Sequence, residues 1–381
     1  MTDVVVTGIS LTTALGPTAD TNWQRLMAGE SAIALRQPFA DLAPGPLAMA
    51  GKYPIELGPL TQQLVNAACQ DAAISRAQLQ AETCGVVVGS SRSHLKTWEQ
   101  MAIAVKAKGY EADALQNWLP SLPHQPALLA AQQMGAMGPV LAPMAACATG
   151  VWAVAQAADL IRNGQCDRVL AGAVEAPITP LTLAGFRKMG ALATTGCYPF
   201  DVNREGFVLG EGGALMMLEA VHLAKQRGAK IYGKVLAAGI TNDSHHVSSF
   251  DPSYVMGQRA VELCLRRSGL SPQDIDAVHV HGTSTAQNDR MEASLIERWL
   301  PGVPIMATKG ATGHTLGASG ALIVALSLLS LRKQALGPCV GLKEAAFDLN
   351  FEREGGPAKI EKTLCFSFGF GGQNAVLAIA R

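Results

Sequence analysis

Cys147 stands where an apolar run becomes a helical repeat, in the stretch PMAACATGVWAVAQAADLIRN from Pro143 to Asn163. Val151, Val154, Ala155, Ala158 and Ile161 recur at helical spacing. The other face, with Trp152, Ala153 and Ala157, is nearly as apolar, and charge enters only at Asp159 and Arg162. That composition predicts a helix buried on most sides, stopped at Asn163-Gly164. About 16 residues would span roughly 24 Å. A sulfur at the N-terminal end of such a helix meets free N–H groups and the positive end of the dipole, and both favour a thiolate. Ala145, Ala146 and Ala148 leave room beside it for a substrate. The other seven cysteines (Cys69, Cys84, Cys166, Cys197, Cys264, Cys339 and Cys365) lack these surroundings and read as small buried hydrophobes.

Three further stretches carry groups that complement a nucleophile. In His281-Gly282-Thr283-Ser284-Thr285 a histidine ends an alternating strand and a Gly–hydroxyl loop follows. In Lys309-Gly310-Ala311-Thr312-Gly313-His314 a second histidine follows a glycine and opens an apolar helix. Phe366-Ser367-Phe368-Gly369-Phe370-Gly371-Gly372 is a strand entering a glycine-rich turn whose N–H groups can face a reacting oxygen. A single histidine beside a strand is ordinarily a satisfied core residue, and GFGG lacks the spacing of a dinucleotide loop. Together the four stretches suit covalent acyl chemistry, with a thiolate nucleophile, imidazole donors and a backbone oxyanion hole.

The elements that must hold these groups read as alternating strands and helices. Val4–Gly8, Gly85–Gly89, Arg168–Gly172, Gly213–Glu219 and Ile231–Gly239 are apolar strands, and 49–53 is a possible short one within a Pro- and Gly-rich loop. Later strands fall at Ala277–His281, Pro304–Ala307, Thr363–Phe368 and Val376–Ile379. Each half runs strand–helix–strand–helix–strand, closes on a strand pair, and contains one long apolar helix, after Cys147 or after His314. This predicts a duplicated α/β chain with two packed sheets and the apolar helices between them. Arg227–Lys230 is the best boundary, giving halves 1–228, with the cysteine, and 229–381, with both histidines.

The 381 residues are 49% apolar and 16% charged, with zero formal net charge. A large core is expected, and no global charge attracts nucleic acid or an anionic membrane. Eight cysteines without CxxC spacing predict reduced thiols in a cytoplasm. The start reads as a strand rather than a leader, and Ala318–Leu331, interrupted at Gly320, is too short an apolar run to span a bilayer.

Five motifs, ACATG (146–150), FDVNREGFVLGEG (200–212), HGTST (281–285), KGATGHTLGASG (309–320) and SFGFGGQN (367–374), stand in one order along the chain. With them the sequence resembles the β-ketoacyl-[acyl-carrier-protein] synthases, elongating condensing enzymes of fatty-acid and polyketide synthesis in the thiolase superfamily. The resemblance implies a thiolase-like fold, five layers α-β-α-β-α, and a homodimer. It implies that Cys147 takes the acyl group from an acyl-carrier protein bearing phosphopantetheine. His281 and His314 would hold the malonyl thioester carbonyl during decarboxylation, and the carbanion would attack acyl-Cys147. Backbone N–H groups of Cys147 and Phe370 would form the oxyanion hole, and Phe370 would gate the acyl pocket. Lys309 would order the histidines with support from Asp289 and Glu292. Thr283, Thr285 and Ser248 would bind the phosphopantetheine, and Arg204 would touch the carrier. No metal or organic cofactor, nucleic acid or membrane insertion is implied.

The sequence departs from that family at several positions. Ile323 stands where a glutamate is usual, His279-Val280 replaces Asn-Ala, and Gln373 replaces a threonine. The helix through Thr61–Asn66 lacks the basic residues that often face a carrier protein. Three rival readings follow: a non-catalytic partner resembling a chain-length factor; a metal hydrolase using His279, His281 and His314, whose H-x-H spacing suits zinc; and a degradative thiolase using coenzyme A. The cysteine and both histidines weigh against the first, Cys147 and GFGG against the second, and the histidine pair against the third.

Overall fold

Ten strands made largely of Val, Leu, Ala and Gly form one twisted sheet in the computed structural model, which describes residues 2–381. In chain order they are β1 (Val4–Thr13), β2 (Cys84–Gly89), β3 (Val140–Leu141), β4 (Arg168–Glu175), β5 (Gly212–Ala220), β6 (Gly233–Asn242), β7 (Ala277–His279), β8 (Ile305–Met306), β9 (Lys362–Gly369) and β10 (Gln373–Ala380). Every residue of β1, β2, β4 and β5 is buried. Such runs are apolar without alternation because both faces are covered.

The spatial order repeats. The first half reads β1-β5-β4-β2-β3 and the second reads β6-β10-β9-β7-β8. In each half the first strand lies antiparallel to the last, that one antiparallel to the next, and the remaining two pairings are parallel. The halves also join edge to edge, where Val4–Val6 of β1 pair antiparallel with Val235–Gly233 of β6. The two sheets expected from the sequence are therefore two arms of one hydrogen-bonded sheet.

Between the arms lie the helices α3 (Thr149–Arg162) and α6 (Ser319–Lys333). Their apolar residues belong to one core cluster with side chains from β1, β4, β5, β9 and β10. A second cluster packs α1 (Leu57–Ala72) and α2 (Gln125–Met134) on the outside of the first arm. A third packs α4 (Val255–Ser268) and α5 (Ala286–Trp299) outside the second. The layers are thus α-β-α-β-α. Residues 319–331 are all buried, which explains a helix without a polar face. By length and composition Leu316–Lys333 could cross a membrane, more than its interrupted apolar run suggests, but 89% of it is buried inside the fold.

Two local expectations change. Residues 49–53 form no strand; the loop instead carries the hairpin Ala34–Arg36/Gly45–Leu47. The strand bearing the first histidine ends at His279, two residues early, because the chain turns at Gly282 with φ of 50°.

Candidate active site

The turn before α3 presents Cys147. Ala146 holds the left-handed conformation (φ 47°), and Thr149 Oγ1 closes the turn by donating to Ala146 O and accepting from Ala145 N. The end of β9 presses on the same backbone: Ser367 Oγ donates to Cys147 O at 3.0 Å. A Cβ at Gly369 would lie 2.8 Å from Ala145 O and 3.0 Å from Cys147 N, so the GFGG turn can approach only because that position is glycine. Phe370 follows directly, and its ring sits 6.3 Å from that of Phe186.

Cys147, His281 and His314 converge, with donor atoms within 4.8 Å of one another, although they come from three distant segments. The imidazole rings meet edge to face, centroids 5.2 Å apart. Phe207 packs against His314 and Phe368 against His281. The three residues face a cavity of about 360 Å³ that also receives Ser248, Thr283, Thr285 and Phe370.

A buried network holds His281. Lys309 Nζ lies 3.2 Å from its Nδ1 and also donates to its carbonyl oxygen. Glu292 accepts both His281 N and Gly282 N at 2.6 Å, and Asn288 Nδ2 donates to the same carboxylate. Asp289 accepts Phe200 N at 2.7 Å and Ser284 N at 3.2 Å. The two carboxylates therefore brace the backbone of the HGTST loop; neither forms an ion pair with Lys309. Burial pushes Asp289 up to about 6 and Glu292 upward as well, against the N–H groups that stabilise their anions. Burial lowers Lys309 to about 8, opposed by Glu292.

Burial, then the charge of Lys309, holds both catalytic-candidate histidines well below the ordinary imidazole range, so they are neutral donors. The thiol behaves otherwise than its helix position predicts. Burial pushes Cys147 up to about 11, and the cations of Lys309 and Arg92 and the Phe370 N–H only partly oppose it. A resting thiolate is not favoured, so the sulfur must lose its proton as it attacks.

Thr283 and Thr285 are joined by a 2.9 Å hydroxyl contact, and Thr285 Oγ1 also caps α5 by accepting Asn288 N. Arg204 turns inward rather than presenting its charge. Its side chain is 11% exposed, its Nη1 donates to Asp201 O, and it lies over Phe347 with Nε 4.0 Å from Asp289. His279 does not join the site; its ring nitrogens contact Ser327 and Thr308, each at 3.0 Å, so the three-histidine metal reading has no structural basis. Among the described residues, the cluster with metal-ligand geometry is Cys147, His281 and His314. Ile323 is buried in the central core, and its carbonyl accepts Ser327 Oγ.

Sequence reasoning missed Glu175. Fully buried at the end of β4, it accepts Ser90 Oγ, Ser91 N, Ser91 Oγ, Arg92 N and Gly317 N, tying the loop after β2 to the start of the α6 region. A carboxylate directly after the apolar run Val169–Val174 was the available signal.

Residues 56–224 match the family model described as "Beta-ketoacyl synthase, N-terminal domain", and residues 232–343 match "Beta-ketoacyl synthase, C-terminal domain". The chain is 31% identical to 3-oxoacyl-[acyl-carrier-protein] synthase 2 of Mycobacterium tuberculosis, over 99% of this chain and 97% of that one. It is 30% identical to the protein of the same name from Staphylococcus aureus, over 99% and 98%. Among solved structures it is similar to a type II PKS acyl-carrier protein–ketosynthase complex bound to the hexaketide, with TM-score 0.94, 25% identity and coverage of 100% and 99%. A β-ketoacyl synthase from Burkholderia phymatum is similar with TM-score 0.91, 26% identity and full coverage of both chains.

Proposed function

The chain belongs to the β-ketoacyl synthase family, and from that premise we propose that it is a 3-oxoacyl-[acyl-carrier-protein] synthase acting through acyl-Cys147. The observation that carries this reading is the convergence of Cys147, His281 and His314 on one cavity.

Cys147 Sγ attacks the thioester carbonyl of an acyl group carried on phosphopantetheine. Its proton passes through a neighbouring neutral imidazole to the departing pantetheine thiol. The tetrahedral oxygen is held by the N–H groups of Cys147 and Phe370. A malonyl thioester then enters along Ser248, Thr283 and Thr285. Its carbonyl oxygen accepts from His281 and His314. The bond to the carboxylate breaks, carbon dioxide leaves, and the electron pair becomes an enolate on that oxygen. Neutral donors suit this step because they stabilise an anion without protonating the carbon that must react. The enolate carbon attacks acyl-Cys147, and collapse expels the cysteine thiolate, which recovers a proton from solvent. The buried site keeps water from the thioester and the enolate.

Lys309 is assigned the positioning of His281; Asp289 and Glu292 hold its loop. Phe370, between Cys147 and Phe186, is assigned the acyl gate. Arg204 acts on this reading by bracing Asp289 rather than by docking a carrier. The division at residues 228 and 229 falls between β5 and β6. Exposed Met137, Val140, Leu141 and Met144 along the outer edge of the first arm support pairing of two copies as a homodimer. Reduced thiols and a chain closed around its apolar helices support a cytoplasmic enzyme.

The test is incubation with acyl- and malonyl-carrier protein. The expected products are carbon dioxide and a 3-oxoacyl thioester two carbons longer than the donor, with an acyl adduct on Cys147 by intact-protein mass spectrometry. An unmodified Cys147 and no condensed product would refute the reading.

A further inference from the structure

Glu175 is a fully buried carboxylate that the condensation scheme leaves unused. Among the described residues no cation pairs with it. A buried anion of this kind must be held by hydrogen bonds alone. Its Oε2 accepts Gly317 N at 3.0 Å, Ser91 N at 2.8 Å and Ser91 Oγ at 2.6 Å. Ser91 Oγ in turn accepts Gly317 N at 3.2 Å. Ser90 Oγ and Arg92 N donate to the other carboxylate oxygen. A Cβ at Gly317 would fall 2.6 Å from Glu175 Oε2 and 2.8 Å from Ser91 N, so this clamp closes only on glycine.

The residue before the clamped glycine is Leu316, which holds the left-handed conformation with φ of 46°. A leucine is strained there and stays only where its surroundings over-determine it. Two anchors do so. On one side His314 N donates to Val208 O at 2.7 Å, and His314 O accepts Gly210 N at 3.0 Å. On the other side stands the Glu175 clamp on Gly317. Leu316 lines the Cys147 cavity and shares one apolar cluster with Cys147, Leu183, Phe186 and Phe207. An acyl chain on the sulfur buries itself against that cluster. Freed from the clamp, Leu316 would relax to negative φ, and its side chain would leave the direction it now holds.

We propose that Glu175 is a positioning residue that, by holding Gly317, fixes strained Leu316 in the wall of the Cys147 cavity and so sets which acyl chain lengths the sulfur accepts. The proposal rests on the reading that Cys147 carries the acyl group. Glu175 itself touches no substrate; its effect passes through Gly317 to Leu316.

The experiment is a competition between the N-acetylcysteamine thioesters of hexanoic and decanoic acid, read as the two acyl-enzyme masses of the intact protein. Both donors compete for the same folded molecules, so a loss of stability alone leaves their ratio unmoved. The wild type is expected to discriminate, and Glu175→Ala should shift the ratio toward parity by roughly tenfold, the scale on which an apolar wall sorts chains. Glu175→Gln, whose amide oxygen can still accept Gly317 N, should recover most of the wild-type ratio. Leu316→Gly removes both the strain and the wall, so it should shift the ratio as Glu175→Ala does, and combining the two should add nothing further. Ser91→Ala, which removes one link between Gly317 and Glu175, should shift it less in the same direction and decides the matter where Glu175→Ala does not fold. A wild-type ratio at parity, an unmoved ratio in the clamp variants, or a Glu175→Ala shift that persists in the Leu316→Gly background would overturn the proposal while leaving acyl transfer intact. Absence of either adduct on wild-type Cys147 would overturn both the acyltransferase reading and this one.

Discussion

Lys309 Nζ lies 3.2 Å from His281 Nδ1. An ammonium can only donate, so Nδ1 is the acceptor and the single proton of the neutral ring sits on Nε2. This fixes His281 as a donor through the nitrogen opposite Lys309. The same contact predicts an alkaline limit. Lys309 is held down to about 8 by burial, so its charge is lost as pH rises through that value. Malonyl decarboxylation is expected to fall above about pH 8, and Lys309→Met should lower the plateau and remove that limb. A pH–rate profile of carbon dioxide release checks both. The linkage has a definite sign. The folded state binds fewer protons than the unfolded between about 8 and 10.5, so the penalty of burying this cation is full below that window and fades across it.

Cys147→Ala should abolish acyl adducts and condensation while His281 and His314 still release carbon dioxide from a malonyl thioester. The separation follows because the sulfur carries the acyl group whereas the imidazoles hold the enolate. Parallel measurement of acyl-enzyme mass and carbon dioxide release distinguishes the two functions.

His281→Ala and His314→Ala should each slow decarboxylation by about 10²–10³-fold, the usual effect of losing one preorganised donor to a developing oxyanion. Acylation of Cys147 should be less affected in whichever variant keeps the proton-accepting imidazole. Single-turnover acylation measured beside carbon dioxide release assigns that role.

Gly150→Ala should destabilise the centre of the protein. A Cβ at Gly150 would fall 2.1 Å from Ala321 N and 2.9 Å from Ala321 Cα, where α3 crosses α6. Backbone cannot move aside as a flexible side chain can, so a loss of about 1–3 kcal/mol is expected. It should appear as a lower urea midpoint, with weaker Cys147 labelling because the same helix positions the sulfur.

Much of the architecture could be read before the fold was seen. Val151, Val154 and Ile161 announced a buried helix, and all three are buried in the central layer. The second apolar helix after His314 gave the duplication, which the repeated strand order matches. The short strands fared worse. A strand within 49–53 did not form, because nothing there pairs with a sheet edge, whereas the unheralded Ala34–Arg36/Gly45–Leu47 hairpin does pair. Pairing partners are tertiary facts, and pattern alone cannot supply them.

The sequence by itself determined which groups are present: one cysteine before a greasy helix, two histidines after glycine-rich segments, a lysine and a donor-rich turn. Local periodicity and turn chemistry suffice for that, since each depends on neighbours in the chain. Only the tertiary structure decided how those groups behave. It set the direction of the Cys147 shift, because burial outweighs the helix end. It sent Glu292 and Asp289 to the loop backbone instead of to Lys309. It buried Glu175 where it ties the loop after β2 to Gly317. Desolvation, ion pairing and hydrogen-bond partnership are set by atoms far apart in the chain, and those distances exist only once the two arms have closed on α3 and α6.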